Sequence, residues 1–174
     1  MGEIRGCCGL AGLLAVVSLS VPRIAPAQDV DRERMRAIPG ITAEDDFPLA
    51  CVSCHVMLPD GMDARISTLM QRWRVDVDST LLAKAQASAP AGLKLAGKHP
   101  EAQESLQSIP LGCLTCHGRD ASLAPPFNRL IHSIHLVGGE ANHFMTMFRG
   151  ECTYCHKLDP GSGAWSIPTG TEMP

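Results

Sequence analysis

Aromatic residues are scarce in this sequence: 174 residues hold four Phe, two Trp and one Tyr. A core built from aromatic and aliphatic side chains would ordinarily draw on more of them, so the shortage implies that something else fills the interior. Cysteine is missing outside a single pattern. Of the eight cysteines, Cys7 and Cys8 precede an N-terminal apolar run, and the other six all fall in three copies of CxxCH. That leaves no thiol for a structural disulfide, although an exported chain would be free to form one. A large charge of one sign is also missing. The formal net charge is −3 at pH 7, which argues against nucleic acid or an anionic membrane surface as a partner. The one long apolar run, residues 10–21, is too short for an ordinary transmembrane helix. No repeat is evident beyond the recurrence of CxxCH, and the motif separations differ.

Residues 1–27 read as a secretory signal peptide, with Arg5 in the n-region, the apolar run, and Ala25-Pro26-Ala27 as the cleavage site; cleavage is expected before Gln28. An uncleaved membrane anchor is the alternative. The mature chain is therefore expected outside the cytoplasm, in the periplasm or on the outer surface. Residues 28–50, rich in Asp, Glu, Arg, Pro and Gly, read as an arm that is mobile or wraps the surface. Residues 51–174 form the remaining domain, a size within the ordinary range.

The three motifs are Cys51, Cys54 and His55; Cys113, Cys116 and His117; and Cys152, Cys155 and His156. CxxCH is the attachment pattern of c-type haem: two thiols add to the vinyl groups, and the adjacent imidazole reaches the iron as proximal ligand. A four-cysteine zinc site would use two of the pairs, strand the third, and give no reason for a histidine after every pair. A thioredoxin-like CxxC needs a strand-helix-strand context that is absent. The expected cofactors are three covalently attached haem c groups.

Four histidines lie outside the motifs: His99, His132, His135 and His143. A helix is expected over residues 127–137, ended by Gly138 and Gly139. His132 and His135 lie three apart on it and project from roughly the same side. Among Leu130, Ile131 and Ile134 they would bury polar nitrogens without evident partners. Iron fits that need, and the size of the porphyrin assigns the two rings to different haems. His143 and His99 complete a set of four candidates for three irons, leaving one spare.

Other helices are expected over residues 62–74, where Ile66, Leu69, Met70 and Trp73 share one face, and from an Asp78 or Ser79 cap until Pro90 stops it. Residues 101–107 suggest a short helix, Pro59-Asp60-Gly61 suggests a turn, and residues 142–148 are a short segment that carries His143, Met145 and Met147 into the last motif. The tail beyond Lys157 is expected to be irregular. The fold class is therefore mainly α with much irregular loop, a small multihaem cytochrome built around a haem core. Met57, Met62, Met145 and Met147 lie near the motifs, but histidines outnumber irons and methionine commonly fills core space, so no methionine ligation is expected.

Phe127, Leu130, Ile131, His132, Ile134 and His135, lying between two CxxCH sites, resemble the F-x-x-L-I-H-x-I-H segment of multihaem c-type cytochromes, especially the decahaem surface cytochromes of metal-respiring bacteria. The paired histidines are also similar to those of class III cytochromes c, where such a pair ligates two haems. The resemblance covers about residues 113–156. It implies bis-histidine iron, low potentials and electron transfer. The chain departs from those relatives in having three sites rather than ten or four, and in the long interval between His55 and Cys113.

The function expected is that of an electron carrier rather than an enzyme: an exported trihaem cytochrome in a respiratory or extracellular electron-transfer chain. Its expected partners are redox proteins, among them an outer-membrane or surface cytochrome complex. Two alternatives stand beside it: a haem enzyme reducing a small oxyanion at an open haem, and a self-assembling subunit of a conductive filament.

Overall fold

The computed structural model describes residues 36–172; the leader and residues 28–35 of the arm lie outside the described residues. The chain is partly helical with irregular loops, and every α-helix among the described residues is short. The first, α1 (Cys51–Cys54), is a single turn formed by the first CxxCH motif. Next, α2 (Ile66–Val75) takes up most of the amphipathic stretch expected from residue 62. Helix α3 (Ser79–Ser88) starts where the Asp78 side chain accepts from the Leu81 amide, the capping role read from the sequence.

A 3-10 turn at Gln103–Gln107 stands where a short helix was expected. A further one at Leu111–Cys113 leads into α4 (Leu114–His117). Gly112 is needed there, because a Cβ at that position would collide with the Ser105 carbonyl. Helix α5 (Phe127–Leu136) ends at the Gly138-Gly139 pair, both of which have positive φ. Helix α6 (His143–Met147) is capped by the Asn142 side chain.

The tail corrects one expectation. Rather than being wholly irregular, it forms a two-stranded antiparallel hairpin, β1 (Lys157–Leu158) with β2 (Trp165–Ser166). Gly170 then exchanges backbone hydrogen bonds with Ile109, and the Glu172 carboxylate accepts from the Ser67 amide at the start of α2. A carboxylate there satisfies a free helix amide and opposes the positive end of the helix dipole.

The described part of the arm wraps the surface. Arg36 pairs with Glu151 at 2.8 Å and Asp45 with Lys157 at 2.6 Å. Phe47 packs edge-on against Tyr154 and Phe148, with ring centroids 4.8 and 5.9 Å apart. Together with Phe144 these rings form one cluster, so four of the seven aromatics are gathered where the arm, α6 and the third motif meet. The apolar core is otherwise small. Among the described residues, the buried apolar side chains other than proline are Ala50, Val52, Leu106, Ile109 and Phe144, and Pro39, Pro110, Pro125 and Pro126 are buried as well. Val52, Leu106 and Ile109 make up one cluster, with Cys51, Ile66 and Met70 packed on it. No helix among the described residues is long and apolar enough to cross a membrane.

Candidate metal centres

All three CxxCH motifs coil into helical turns, which puts both cysteines of each pair on one side. In the first and third, the histidine amide donates to the carbonyl of the first cysteine, His55 to Cys51 and His156 to Cys152, each at 2.8 Å. The motifs lie close together. Burial, followed by the nearby Cys155, pushes the Cys51 and Cys54 thiols up to about 11, and Cys113 also adds to the shift at Cys51. The first motif therefore lies near cysteines of both others.

The histidines come together in twos. His55 faces His135 with ring centroids 6.2 Å apart, His117 faces His99 at 6.0 Å, and His156 faces His132 at 6.1 Å. Each pair joins one motif histidine to one histidine from outside the motifs. Two imidazoles on opposite sides of a metal, with metal–nitrogen bonds of about 2 Å, place their ring centroids roughly 6 Å apart. Interplanar angles of 89°, 15° and 46° are compatible with this, since each ring is free to rotate about its bond to the metal.

Helix α5 supplies His135 to one pair and His132 to another. His99 is held at the end of α2: its amide donates to the Trp73 carbonyl at 2.8 Å, and Arg74 pairs with Glu101 just beyond it. His143 is exposed. Its ring meets Phe148 edge-on at 6.3 Å, and it is near enough to His55 and His135 to disfavour their protonation.

The ring nitrogens carry a second regularity. Nδ1 of His55 lies 2.9 Å from the Ala64 carbonyl oxygen, Nδ1 of His117 2.7 Å from that of Pro125, Nδ1 of His99 2.8 Å from that of Pro100, and Nδ1 of His135 3.0 Å from that of Ile131. A carbonyl only accepts, so in each case Nδ1 donates the proton and Nε2 keeps the lone pair. Metal-bound histidines are typically oriented this way. Burial lowers the pKa of His55, His99, His135 and His156, and so favours the neutral ring that binds metal. No sequence pattern announces the four carbonyls, because any residue supplies one.

One premise of the sequence reading needs correcting. His135 is half-buried, but His132 is exposed, so protein burial alone does not demand a partner for it. Met57, Met62 and Met147 are exposed, and Met145 packs beside Gly150.

The chemistry of the donor set fits haem. Among the described residues no three His, Cys, Asp or Glu side chains converge into the ligand shell of one ion. Two opposed imidazoles are what a porphyrin needs, since it brings four nitrogens of its own. The apolar side chains left exposed beside the motifs, Leu111 and Leu114 at the second and Met57 at the first, are surfaces a porphyrin would cover. The larger surface pocket, about 420 Å3 between Pro90, Arg119 and Arg129, contains none of these histidines or cysteines. Comparison with known proteins finds no matching family model, no matching curated protein and no matching solved structure.

Proposed function

We propose that this chain is an exported trihaem c-type cytochrome that relays electrons through bis-histidine haems in a respiratory or extracellular electron-transfer chain. The observation that carries the reading is the pairing of every motif histidine with one unattached histidine at 6.0–6.2 Å. Haem iron between two imidazoles supplies one-electron exchange with no open position for a substrate.

The protein's part is to hold and space the groups. The cysteine pairs Cys51 and Cys54, Cys113 and Cys116, and Cys152 and Cys155 tether them. His55 with His135, His117 with His99, and His156 with His132 would hold the three irons, and His143 would be the spare ring. Because α5 contributes to the first and third pairs from adjacent positions on one face, those two sites are neighbours. Packing of Val52 against Leu106 and Ile109 brings the first motif against the approach to the second. The first site is therefore central, and the order of the sites in space differs from their order in sequence.

One feature favours a second reading at one site. His132 is exposed, and its pair is the one in which neither ring has a carbonyl anchor among the described residues. Reduction of a small oxyanion at an open haem would use that site. Intact-mass spectrometry and the ferric absorption spectrum decide between the readings. A chain from Gln28 carrying three haems, all low-spin, is the expected result. A high-spin band would move the third site to the enzymatic reading, and a bare chain holding zinc would overturn both.

A further inference from the structure

Thr153, inside the third CxxCH motif, is 5% exposed, and its hydroxyl is a buried side-chain polar atom with no hydrogen-bond partner among the described residues. Such an orphan is costly unless something outside the chain satisfies it. Thr153 is among the residues that line a small pocket of about 40 Å3, with Pro39, Gly40, Ile41, His156 and Lys157, and Asp45 and Leu158 completing the wall. A water needs about 10–15 Å3 of such space and two to four polar partners.

His156 lines the same pocket and is the motif histidine that differs from the others. His55 and His117 each donate Nδ1–H to a backbone carbonyl, whereas the His156 ring has no hydrogen bond to another described residue. The neighbouring carbonyl of Thr153 is already engaged, accepting from Lys157 Nζ at 2.9 Å, and that ammonium also meets Asp45.

We infer that the pocket binds a structural water that accepts from His156 Nδ1–H and pairs with the Thr153 hydroxyl, making Thr153 a positioning residue for the third axial imidazole. The inference rests on the trihaem reading. A hydrogen bond from the far nitrogen raises the basicity of a ligating histidine and orients its ring. The arm closes the pocket through Pro39, Gly40 and Ile41, which gives residues 39–41 a role at a site more than 100 positions away in sequence.

The test uses the matured full chain, its haem content fixed by intact mass, as wild type, Thr153→Val and Thr153→Ser. A crystal structure of the wild type should show a water within hydrogen-bond distance of Thr153 Oγ1 and His156 Nδ1, and Thr153→Val should lose it. In redox titration Thr153→Val should raise one of three potentials and leave two unchanged, with roughly a tenfold change in the oxidised-to-reduced ratio of that haem, or about 59 mV for one electron. Thr153→Ser should restore both water and potential, which a mere packing role would not do. A dry pocket, His156 Nδ1 donating directly to a carbonyl or to a haem carboxylate, or three unchanged potentials in Thr153→Val would overturn the inference while three haems stand. A chain without three haems would overturn it together with the reading beneath it.

Discussion

His99, in a loop, and His143, the first residue of α6, are both candidate rings, yet their surroundings differ. His99 is fixed at its amide by Trp73 and at Nδ1 by Pro100, and it lies nearly parallel to His117. His143 has only an edge contact with Phe148 in an exposed position. His99→Ala is therefore expected to leave three haems attached but make one high-spin or substitute-ligated, whereas His143→Ala leaves the ferric spectrum unchanged. The reverse pattern would exchange their assignments.

Asp63 carries a separate prediction at the same scale. Arg65 Nε and Nη2 donate to it at 2.9 and 2.8 Å, and the Thr68 hydroxyl donates at 2.7 Å. Arg65 first, then Thr68, holds the carboxyl well below the usual carboxylate range. A lowered folded-state pKa contributes stability above the unfolded value, about 3.9, and that contribution fades as pH falls through this value toward the folded one. Asp63→Asn should thus lower Tm at neutral pH, with the gap to wild type narrowing from about pH 5 to about pH 2. Thermal melts across that range check the sign; a gap that does not change with pH would point to packing instead.

Among the elements, α5 supplies two of the paired histidines and is braced from outside at its C-terminal end. Its last carbonyls have no partner within the helix. Lys84 from α3 donates to the Ile134 and Val137 carbonyls at 3.1 and 2.7 Å, and Asn142 Nδ2 donates to the same two at 2.9 and 3.0 Å. A cation at a helix C-terminus also opposes the dipole. Lys84→Met, which keeps the apolar stem, should cost about 1 kcal/mol by chemical denaturation and broaden the spectral features of the haems served by α5. Unchanged stability would mean that Asn142 alone secures the helix end.

Helices α2, α3 and α5 were legible, because apolar spacing, a cap at Asp78 or Ser79 and the Gly138-Gly139 stop are local signals, whereas the turns inside the motifs gave none. The tail hairpin was not, since two-residue strands leave no alternation to read, and neither was the contact of Glu172 with Ser67, which spans 105 positions. The motif cysteines and the four further histidines were legible as a set. Which ring meets which was not, because pairing is a tertiary fact. His99, in a loop, carried no periodicity to distinguish it from a surface residue.

For the whole molecule the decisive quantity is how little the protein buries by itself. Its buried apolar side chains among the described residues are five besides four prolines, and only Ile109 of the larger ones is fully enclosed. Leu111, Leu123, Val137, Met147 and Trp165 stay exposed. Conformational entropy opposes folding by about 1–2 kcal/mol per residue, and so small a core is poorly matched to it. If three porphyrins provide the missing interior, attachment and folding are one process, as in small metal-dependent domains. A chain with Cys51, Cys54, Cys113, Cys116, Cys152 and Cys155 all replaced by Ala should then lack a cooperative melt, bind hydrophobic dyes and lose dispersed tertiary signals, whereas the matured chain melts cooperatively. Circular dichroism melts of the two proteins make the comparison. A cooperative transition at the same temperature in both would show that the polypeptide builds its own core and that the paired histidines are held without haem.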